Sequence, residues 1–141
     1  MIDYDSGELK ENEFSEIEDA LRYRDTTSIS WINIDGLHEP ELVRQLGEHY
    51  RVHPLTLEDV LQTNQRSKCE VHDNYIFLVL KMLSGQPDQG AVEEEQFSFI
   101  LGENFVVSFQ ERVGDVFEPV RNRLRKAAGR LRQRGSDLSL I

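Results

Sequence analysis

Three apolar segments in the middle of the chain constrain its fold more than any other feature of the sequence. The first, Val71–Leu83, contains the continuous run Tyr-Ile-Phe-Leu-Val-Leu, which is typical of a strand buried on both faces. The other two, Glu94–Leu101 and Phe105–Gln110, flank Gly102-Glu103-Asn104, and this arrangement predicts a β-hairpin. Three such strands in succession predict an antiparallel meander, with the aromatic residues of both hairpin strands on one face.

The remaining elements are predicted from turns, caps and helical periodicity. In chain order they are a hairpin over Met1–Phe14, a helix over Ser15–Tyr23 capped by Ser15, a strand over Ser28–Ile34, and helices beginning at Pro40, Pro54 and Asp115. The last helix is expected to reach Arg134, with Asp115 as its N-cap. Together these elements predict one domain over residues 1–141, an α/β fold in which helices pack on a mixed sheet.

The charge balance argues against nucleic-acid binding. The chain carries 16 basic and 26 acidic residues, a net charge of −10, whereas proteins that bind duplex nucleic acid normally show a basic excess. An acidic chain suits cations, basic partners or plain solubility. The exception is Arg112–Arg134, where eight basic residues accompany two acidic ones, and we interpret it as the solvated face of the last helix.

The sequence carries no recognisable catalytic motif, and we expect no enzymatic activity. It has neither a glycine-rich phosphate loop nor a His-Glu-x-x-His helix. Cys69 has no second cysteine to pair with, and Cys69 with the nearby His72 lacks an orienting third residue. The histidines are interpreted as surface or capping residues. The longest apolar run, Tyr75–Leu80, is far shorter than the ~20 residues that span a bilayer, so the chain is not expected to cross a membrane by itself.

One acidic pair, Glu58 and Asp59, is a candidate for binding a cation. It follows Pro54, which suits the first turn of a helix because an N–H there has no helical partner. Two interpretations are open: acids near a helix start that interact favourably with the helix dipole, or oxygen ligands for a hard cation such as Mg²⁺. Adjacent helical side chains point about 100° apart, so the pair is not expected to chelate one ion without a second surface.

Several sequence blocks resemble, in the same order, the CorA family of magnesium and cobalt transporters. They are Trp31-Ile-Asn-Ile-Asp-Gly36, His53-Pro-Leu-Thr-Leu-Glu-Asp59, Gln65-Arg-Ser-Lys-Cys-Glu70, Asn74-Tyr-Ile-Phe-Leu-Val-Leu-Lys-Met82, Glu95-Gln-Phe-Ser-Phe99, Asn104-Phe-Val-Val-Ser-Phe-Gln-Glu111 and Gly114-Asp-Val-Phe-Glu-Pro-Val-Arg121. The resemblance extends from about Asp25 to Arg134. Ser67 and Cys69 depart from the family, which often has Pro and an apolar residue there, and we expect this to affect packing.

The resemblance implies an αβα sandwich, with helices packed on both faces of the sheet, that forms the cytoplasmic N-terminal domain of a homopentameric channel. The stalk helix and the two membrane helices joined at a Gly-Met-Asn motif would lie beyond Ile141. The chain is therefore expected to be a single soluble regulatory domain, truncated before the stalk, at the cytoplasmic face of the cell membrane. The expected partners are the stalk, the membrane segments and the neighbouring subunits.

The resemblance also assigns roles to the acidic pair. Asp59 corresponds to a ligand of a regulatory Mg²⁺ between subunits, and Glu58 to a supporting ligand at a second site, with the other ligands beyond Ile141. The affinity is expected to be weak, on the order of 10⁻⁴–10⁻³ M, because a sensor must empty within the cellular range. Co²⁺ is a second candidate ion. When cytoplasmic Mg²⁺ falls, the subunits are expected to separate and the pore to open.

Two other functions remain as alternatives. One is the same domain in a zinc-transporting relative of identical architecture. The other is a stand-alone soluble adaptor that binds a basic partner, which the net acidic charge would favour. The gene beyond Ile141 would separate a transporter from an adaptor, since a transporter needs two apolar segments of about 20 residues and an adaptor needs none.

Overall fold

The chain forms one mixed β-sheet with helices on both faces. The computed structural model describes residues 1–14, 17–23, 27–85, 92–114, 116–126 and 132, with the backbone alone for 84 and 85. The strands in these residues are β1 Ile2–Tyr4, β2 Leu9–Glu11, β3 Ile29–Asp35, β4 Lys68–Val71, β5 Ile76–Gly85, β6 Val92–Leu101 and β7 Phe105–Gln110. Their order in the sheet is β2-β1-β3-β7-β6-β5-β4, and the β3–β7 pair is parallel while the other neighbouring pairs are antiparallel.

The described helices divide between the two faces of the sheet. They are α1 Ile17–Leu21, α2 Pro40–His49, α3 Pro54–Leu61 and α4 Glu118–Arg125. Helices α1 to α3 pack on a core that includes Ile32, Phe77 and Val107, and α4 packs on the opposite core around Trp31 and Phe97. This arrangement confirms the predicted α/β fold with a mixed sheet, an antiparallel β5–β6–β7 meander and helices on both faces. The predicted N-terminal hairpin is confirmed as β1–β2, whereas the Ser15 cap lies outside the described residues.

Side chains as well as backbones join β3 to β7. Trp31 Nε1 donates a hydrogen bond to Ser108 Oγ (2.8 Å), and Ser108 Oγ donates to Asn33 Oδ1 (2.6 Å). The Trp31 ring also meets Phe117 edge-on, with the ring centroids 5.6 Å apart, so the same residue contacts the segment that leads into α4. The parallel pair therefore brings the N-terminal hairpin, the meander and the last helix together.

The prediction of a single strand over Val71–Leu83 is wrong in two respects. The chain turns between β4 and β5, and the two strands pair antiparallel, which makes β4 an edge strand. In addition, β5 is buried on one face only. Phe77 and Val79 are fully buried beneath α2 and α3, whereas Leu80, on the other face, is 41% exposed. The alternation arises because α4, the described helix of the second face, packs around β3 and β6 instead.

The hairpin of β6 and β7 is confirmed, but the expectation that its aromatic residues share one face is wrong. The register places Phe97 opposite Gln110 and Ile100 opposite Val107. Residues directly opposite each other lie on the same face of a sheet. Phe97 consequently faces α4, while Phe109 faces the core beneath α2 and α3, so the hairpin contributes aromatic side chains to both cores.

Helix α4 begins later than predicted. It covers Glu118–Arg125, and its N-cap is Phe117, which makes no side-chain capping hydrogen bond. Asp115, the predicted N-cap, lies outside the described residues. The Arg132 guanidinium donates to the Leu124 carbonyl (2.7 Å), near the C-terminal end of the helix. Helix α4 ends at Arg125 with Lys126 as its C-cap. For the predicted extension to Arg134, residues 127–131 and 133–134 lie outside the described residues.

The contribution of α3 to the core can be tested with two identical substitutions. Val60 on α3 is 0% exposed and Val71 on the edge strand β4 is 77% exposed. We expect Val60→Ala to lower the free energy of unfolding by roughly 1.5–2.5 kcal/mol, because it leaves a cavity beneath the helix. Val71→Ala should stay within about 0.5 kcal/mol of the wild type. Urea denaturation of both variants measures the difference, and equal effects would contradict the packing of α3.

Candidate metal site on helix α3

A buried inner face and one tyrosine hold helix α3 in place. Thr56, Leu57 and Val60 are buried against the sheet. The Thr56 hydroxyl lies 3.0 Å from the hydroxyl of Tyr75, and the same Tyr75 hydroxyl accepts a hydrogen bond from the backbone N–H of His53 (3.2 Å). Both the first turn and the inner face of the helix are thereby fixed relative to the start of β5, so the rotation of the helix about its axis is determined.

This rotation leaves Glu58 and Asp59 on the outer side of α3. Glu58 is exposed, and the side chain of Asp59 is 28% exposed. The helix begins at Pro54, and its first turn contains no acidic residue. The interpretation of the pair as acids favoured by the helix dipole is therefore wrong, since that interaction falls off beyond the first turn.

Asp59 is paired with a lysine of its own chain. Its Oδ2 accepts from Lys68 Nζ at 2.5 Å, and its Oδ1 accepts from Gln65 Nε2 at 2.5 Å. Lys68 Nζ also donates to Glu70 Oε1 (2.8 Å) and lies 5.3 Å from the centroid of the Phe77 ring. The hydrogen bond from Lys68 lowers the pKa of Asp59 below its ordinary value, against the opposing effect of partial burial. The carboxylate is therefore charged at neutral pH.

The loop after α3 brings Gln65 and Lys68 to Asp59. Gln96, a buried residue of β6, accepts from the backbone N–H of Gln65 (3.1 Å) and donates to the Gln62 carbonyl (3.0 Å). On β5, Lys81 Nζ donates to a further loop carbonyl, that of Thr63 (3.0 Å). Two strands of the meander thus hold residues 62–67 in a defined conformation although these residues belong to no helix or strand.

The Asp59 carboxylate has the chemistry that a hard divalent cation prefers. Mg²⁺ takes oxygen ligands, keeps several waters, and is commonly held by only one or two protein carboxylates. Within the described ranges, no group of three or more His, Cys, Asp or Glu side chains is gathered so that it could hold a metal ion. Asp59 fits a hydrated divalent ion if a second surface provides the remaining ligands. In this structure the Lys68 ammonium donates to one of the two Asp59 oxygens.

The residues considered for catalysis do not come together. His53 is the N-cap of α3, where its side chain accepts a hydrogen bond from a backbone N–H of the first turn, so the capping interpretation is confirmed for this histidine. Cys69 is exposed on β4. Because side chains alternate along a strand, Cys69 lies on the opposite face from Glu70, which is the residue that His72 contacts. His72 lies 3.7 Å from Glu70 and stacks on Tyr75 with ring centroids 4.3 Å apart.

Comparison with known proteins assigns the family. A family model described as "CorA-like Mg2+ transporter protein" matches residues 26–140. The chain belongs to the CorA family. It is 41% identical over 140 residues, 99% of its length, to the cobalt/magnesium transport protein CorA of Thermotoga maritima. The chain spans 40% of the length of that relative.

Two further proteins are similar to this chain. YfjQ of Bacillus subtilis, named a putative metal ion transporter, is 32% identical over 94 residues, which cover 67% of this chain and 28% of YfjQ. The fold is similar to the crystal structure of the ZntB cytoplasmic domain from Vibrio parahaemolyticus, with a TM-score of 0.57 and 13% identity, over 92% of this chain and 50% of that structure. At this identity the likeness concerns the fold alone. In the described part of the chain, no helix has the length and apolarity needed to cross a membrane.

The residues that pair with Asp59 are not predicted by the sequence. In the sequence, Gln65, Lys68 and Glu70 stand out only as members of a block that resembles CorA proteins. A signal was nonetheless present, because a lysine comes within ten residues of the acidic pair and is itself flanked by an acid two positions later. Nothing in that spacing indicates that the intervening loop folds back onto α3, since the contacts of Gln96 with the loop come from a distant strand.

The ion pair of Asp59 with Lys68 makes a prediction about acidity. The pKa of the Asp59 carboxyl should lie below that of an ordinary aspartate and should rise in Lys68→Met, because the main cause of its depression is removed. The pair stabilises the folded chain above the ordinary aspartate pKa, and this contribution disappears as the pH falls through the lowered value. Carboxyl ¹³C NMR measures the shift. Lys10→Met, on a distant exposed lysine, is the control and should leave the Asp59 pKa unchanged.

Proposed function

We propose that this chain is the cytoplasmic regulatory domain of a CorA-type transporter of Mg²⁺ and Co²⁺, and that Asp59 is one half of a Mg²⁺ site between neighbouring subunits of a homopentamer. Glu58 serves as a ligand at a supporting second site. The observation that carries the proposal is the position of Asp59: a charged carboxylate on the outer side of a rigidly held helix, in a chain that belongs to the CorA family. The domain performs no catalysis.

The regulation arises from the charges of the subunits. A chain with a net charge of −10 repels its neighbours when acidic surfaces face each other across an interface. Asp59 meets acidic residues of the neighbouring stalk, which lies beyond Ile141, and Mg²⁺ supplies the positive charge that makes this contact favourable in the closed state. The ion shifts the equilibrium only in so far as it binds the closed state more tightly than the open one.

The alternatives receive less support. For a zinc-transporting relative the support is weaker, because the relative at 41% identity is named a cobalt/magnesium transport protein. The likeness to the ZntB domain, at 13% identity, concerns the fold alone. A soluble adaptor for a basic partner would explain the acidic charge. It would not explain why the family match covers residues 26–140 in one continuous stretch.

The role of Asp59 can be tested in the full-length protein with one neutralising substitution. We expect Asp59→Asn to fold normally, because Lys68 keeps Glu70 as a partner. The Mg²⁺ concentration that half-inhibits transport should rise on the order of tenfold or more, as for other losses at metal sites. Ion flux into proteoliposomes at a series of internal Mg²⁺ concentrations provides the measurement.

Asp73→Asn is the matched control, since Asp73 is an exposed acid in the turn between β4 and β5. It removes the same charge from the same domain and should leave the inhibition by Mg²⁺ unchanged. Equal Mg²⁺ sensitivity of the wild type and Asp59→Asn would refute the assignment of Asp59, whatever the transported ion.

The chain by itself should bind Mg²⁺ poorly. The second half of the proposed site belongs to a neighbouring stalk, so we expect a dissociation constant weaker than the order of 10⁻³ M that marks the loosest oxygen-ligand sites. Amide chemical shifts recorded during a Mg²⁺ titration of the isolated chain should move first at Glu58 and Asp59. Tight binding, or shifts centred elsewhere, would contradict a shared site.

A further inference from the structure

The environment of Lys68 is unusual for a surface lysine because its ammonium group has three partners. It donates to Asp59 Oδ2 at 2.5 Å and to Glu70 Oε1 at 2.8 Å, and it lies 5.3 Å from the centroid of the Phe77 ring. The side chain is 28% exposed, equal to that of Asp59. A lysine ammonium is a compact charge on a flexible stem, and here two carboxylates and an aromatic face define its position.

We propose that Lys68 is an internal competitor for the divalent cation at Asp59, so that cation binding is an exchange in which the ammonium releases Asp59 and remains on Glu70. This inference rests on the proposed function and concerns how that same site is regulated. Each Asp59 oxygen already accepts a hydrogen bond, Oδ1 from the neutral Gln65 amide and Oδ2 from the Lys68 ammonium, so a cation arriving at Asp59 meets a positive charge there. The ion therefore enters only by displacing a positive charge that is already present.

Glu70 lowers the free-energy cost of the exchange. Moving an ammonium group away from its only carboxylate leaves a partly buried charge unpaired, which is strongly unfavourable. Lys68 keeps its hydrogen bond to Glu70 and its contact with the Phe77 ring after Asp59 is released, so its charge stays compensated. The other Asp59 oxygen keeps its hydrogen bond from Gln65, which holds the carboxylate in place for its new partner.

The exchange also explains how such a site distinguishes divalent from monovalent cations. Replacing the ammonium of Lys68 by K⁺ leaves the charge beside Asp59 unchanged and offers little electrostatic gain. Replacing it by Mg²⁺ doubles that charge, which favours the ion when acidic groups of a second subunit also face the site. The free-energy cost of displacing Lys68 from Asp59 is the same for both kinds of ion. An ion of single charge recovers little more than this cost, whereas Mg²⁺ exceeds it.

The test uses the full-length protein and measures stability instead of transport. A ligand that binds only the folded assembly raises its unfolding temperature in a concentration-dependent way, so a series of Mg²⁺ concentrations gives a midpoint for each variant. We expect Lys68→Met to lower that midpoint on the order of fivefold, which is the size of a partly exposed ion pair. Lys68→Arg keeps the charge and should stay close to the wild type, and Lys10→Met should have no effect.

Glu70→Gln tests the second half of the proposal. It removes one of the two carboxylates that hold the Lys68 ammonium and leaves the hydrogen bond to Asp59, so the Mg²⁺ midpoint should rise. In a Lys68→Met background the same substitution should have a much smaller effect, because there is no ammonium left to redistribute. An equal effect in both backgrounds would mean that Glu70 acts through its own charge, which contradicts the exchange.

Added KCl provides an independent measurement. Potassium should raise the Mg²⁺ midpoint of Lys68→Met by a larger factor than that of the wild type, because the variant has lost its internal competitor. An equal or smaller factor in the variant would contradict the exchange. Far-ultraviolet circular dichroism without Mg²⁺ establishes that each variant is folded, and Lys68→Gln replaces Lys68→Met if the latter is not.

The outcomes separate the two proposals. If the wild type and Asp59→Asn show the same Mg²⁺ response, the sensor at Asp59 is refuted and the exchange with it. If the response depends on Asp59 but Lys68→Met leaves its midpoint unchanged or raises it, only the exchange is refuted. A lowered midpoint in Lys68→Met that the arginine variant does not share supports the exchange.

Discussion

The parallel pairing of β3 with β7 is the contact on which the rest of this structure depends. It unites the N-terminal hairpin with the meander in one sheet, across a sequence separation of about 75 residues, as in the Asn33–Ser108 pair. Trp31 reinforces it with a hydrogen bond to Ser108 and an edge-on contact with Phe117. A parallel pair needs a crossover connection, and here the crossover contains α2, α3 and the whole of β4 to β6. Helix α3, which carries the candidate site, is therefore part of the connection between β3 and β7.

The orientation of helix α3 is set by the burial of its inner face. Its inner residues Thr56, Leu57 and Val60 face the core, and Leu57 packs so closely on α2 that a Cβ added at Gly47 would lie 2.2 Å from it. Because the inner face of α3 is fixed, the Asp59 side chain lies on the outer side of the helix, next to the loop that carries Gln65. The carboxylate is thus positioned by apolar packing on the opposite side of the helix, and its charge is compensated by Lys68 from a neighbouring strand.

Much of this architecture can be derived from local sequence patterns, and the errors have physical causes. The meander, the first hairpin and the proline-led helices were predictable because turn residues and alternation are local properties. The division between β4 and β5 was missed because the polar turn between them is short. The faces of Phe97 and Phe109 were assigned wrongly because a register change of one residue moves every side chain to the opposite face.

The candidate site shows the same division between local and tertiary information. The sequence by itself determined that Glu58 and Asp59 lie on a short helix after Pro54, that the chain is acidic, and that its blocks resemble those of CorA proteins, since composition, periodicity and block order need no knowledge of distant contacts. Only the tertiary structure decided that Asp59 is paired with Lys68 and Gln65, that Glu70 holds the same ammonium, and that Glu58 remains exposed. The reason is that these contacts require the loop at residues 62–67 to be held by Gln96 and Lys81, whose positions are set by sheet register and not by anything near them in the chain.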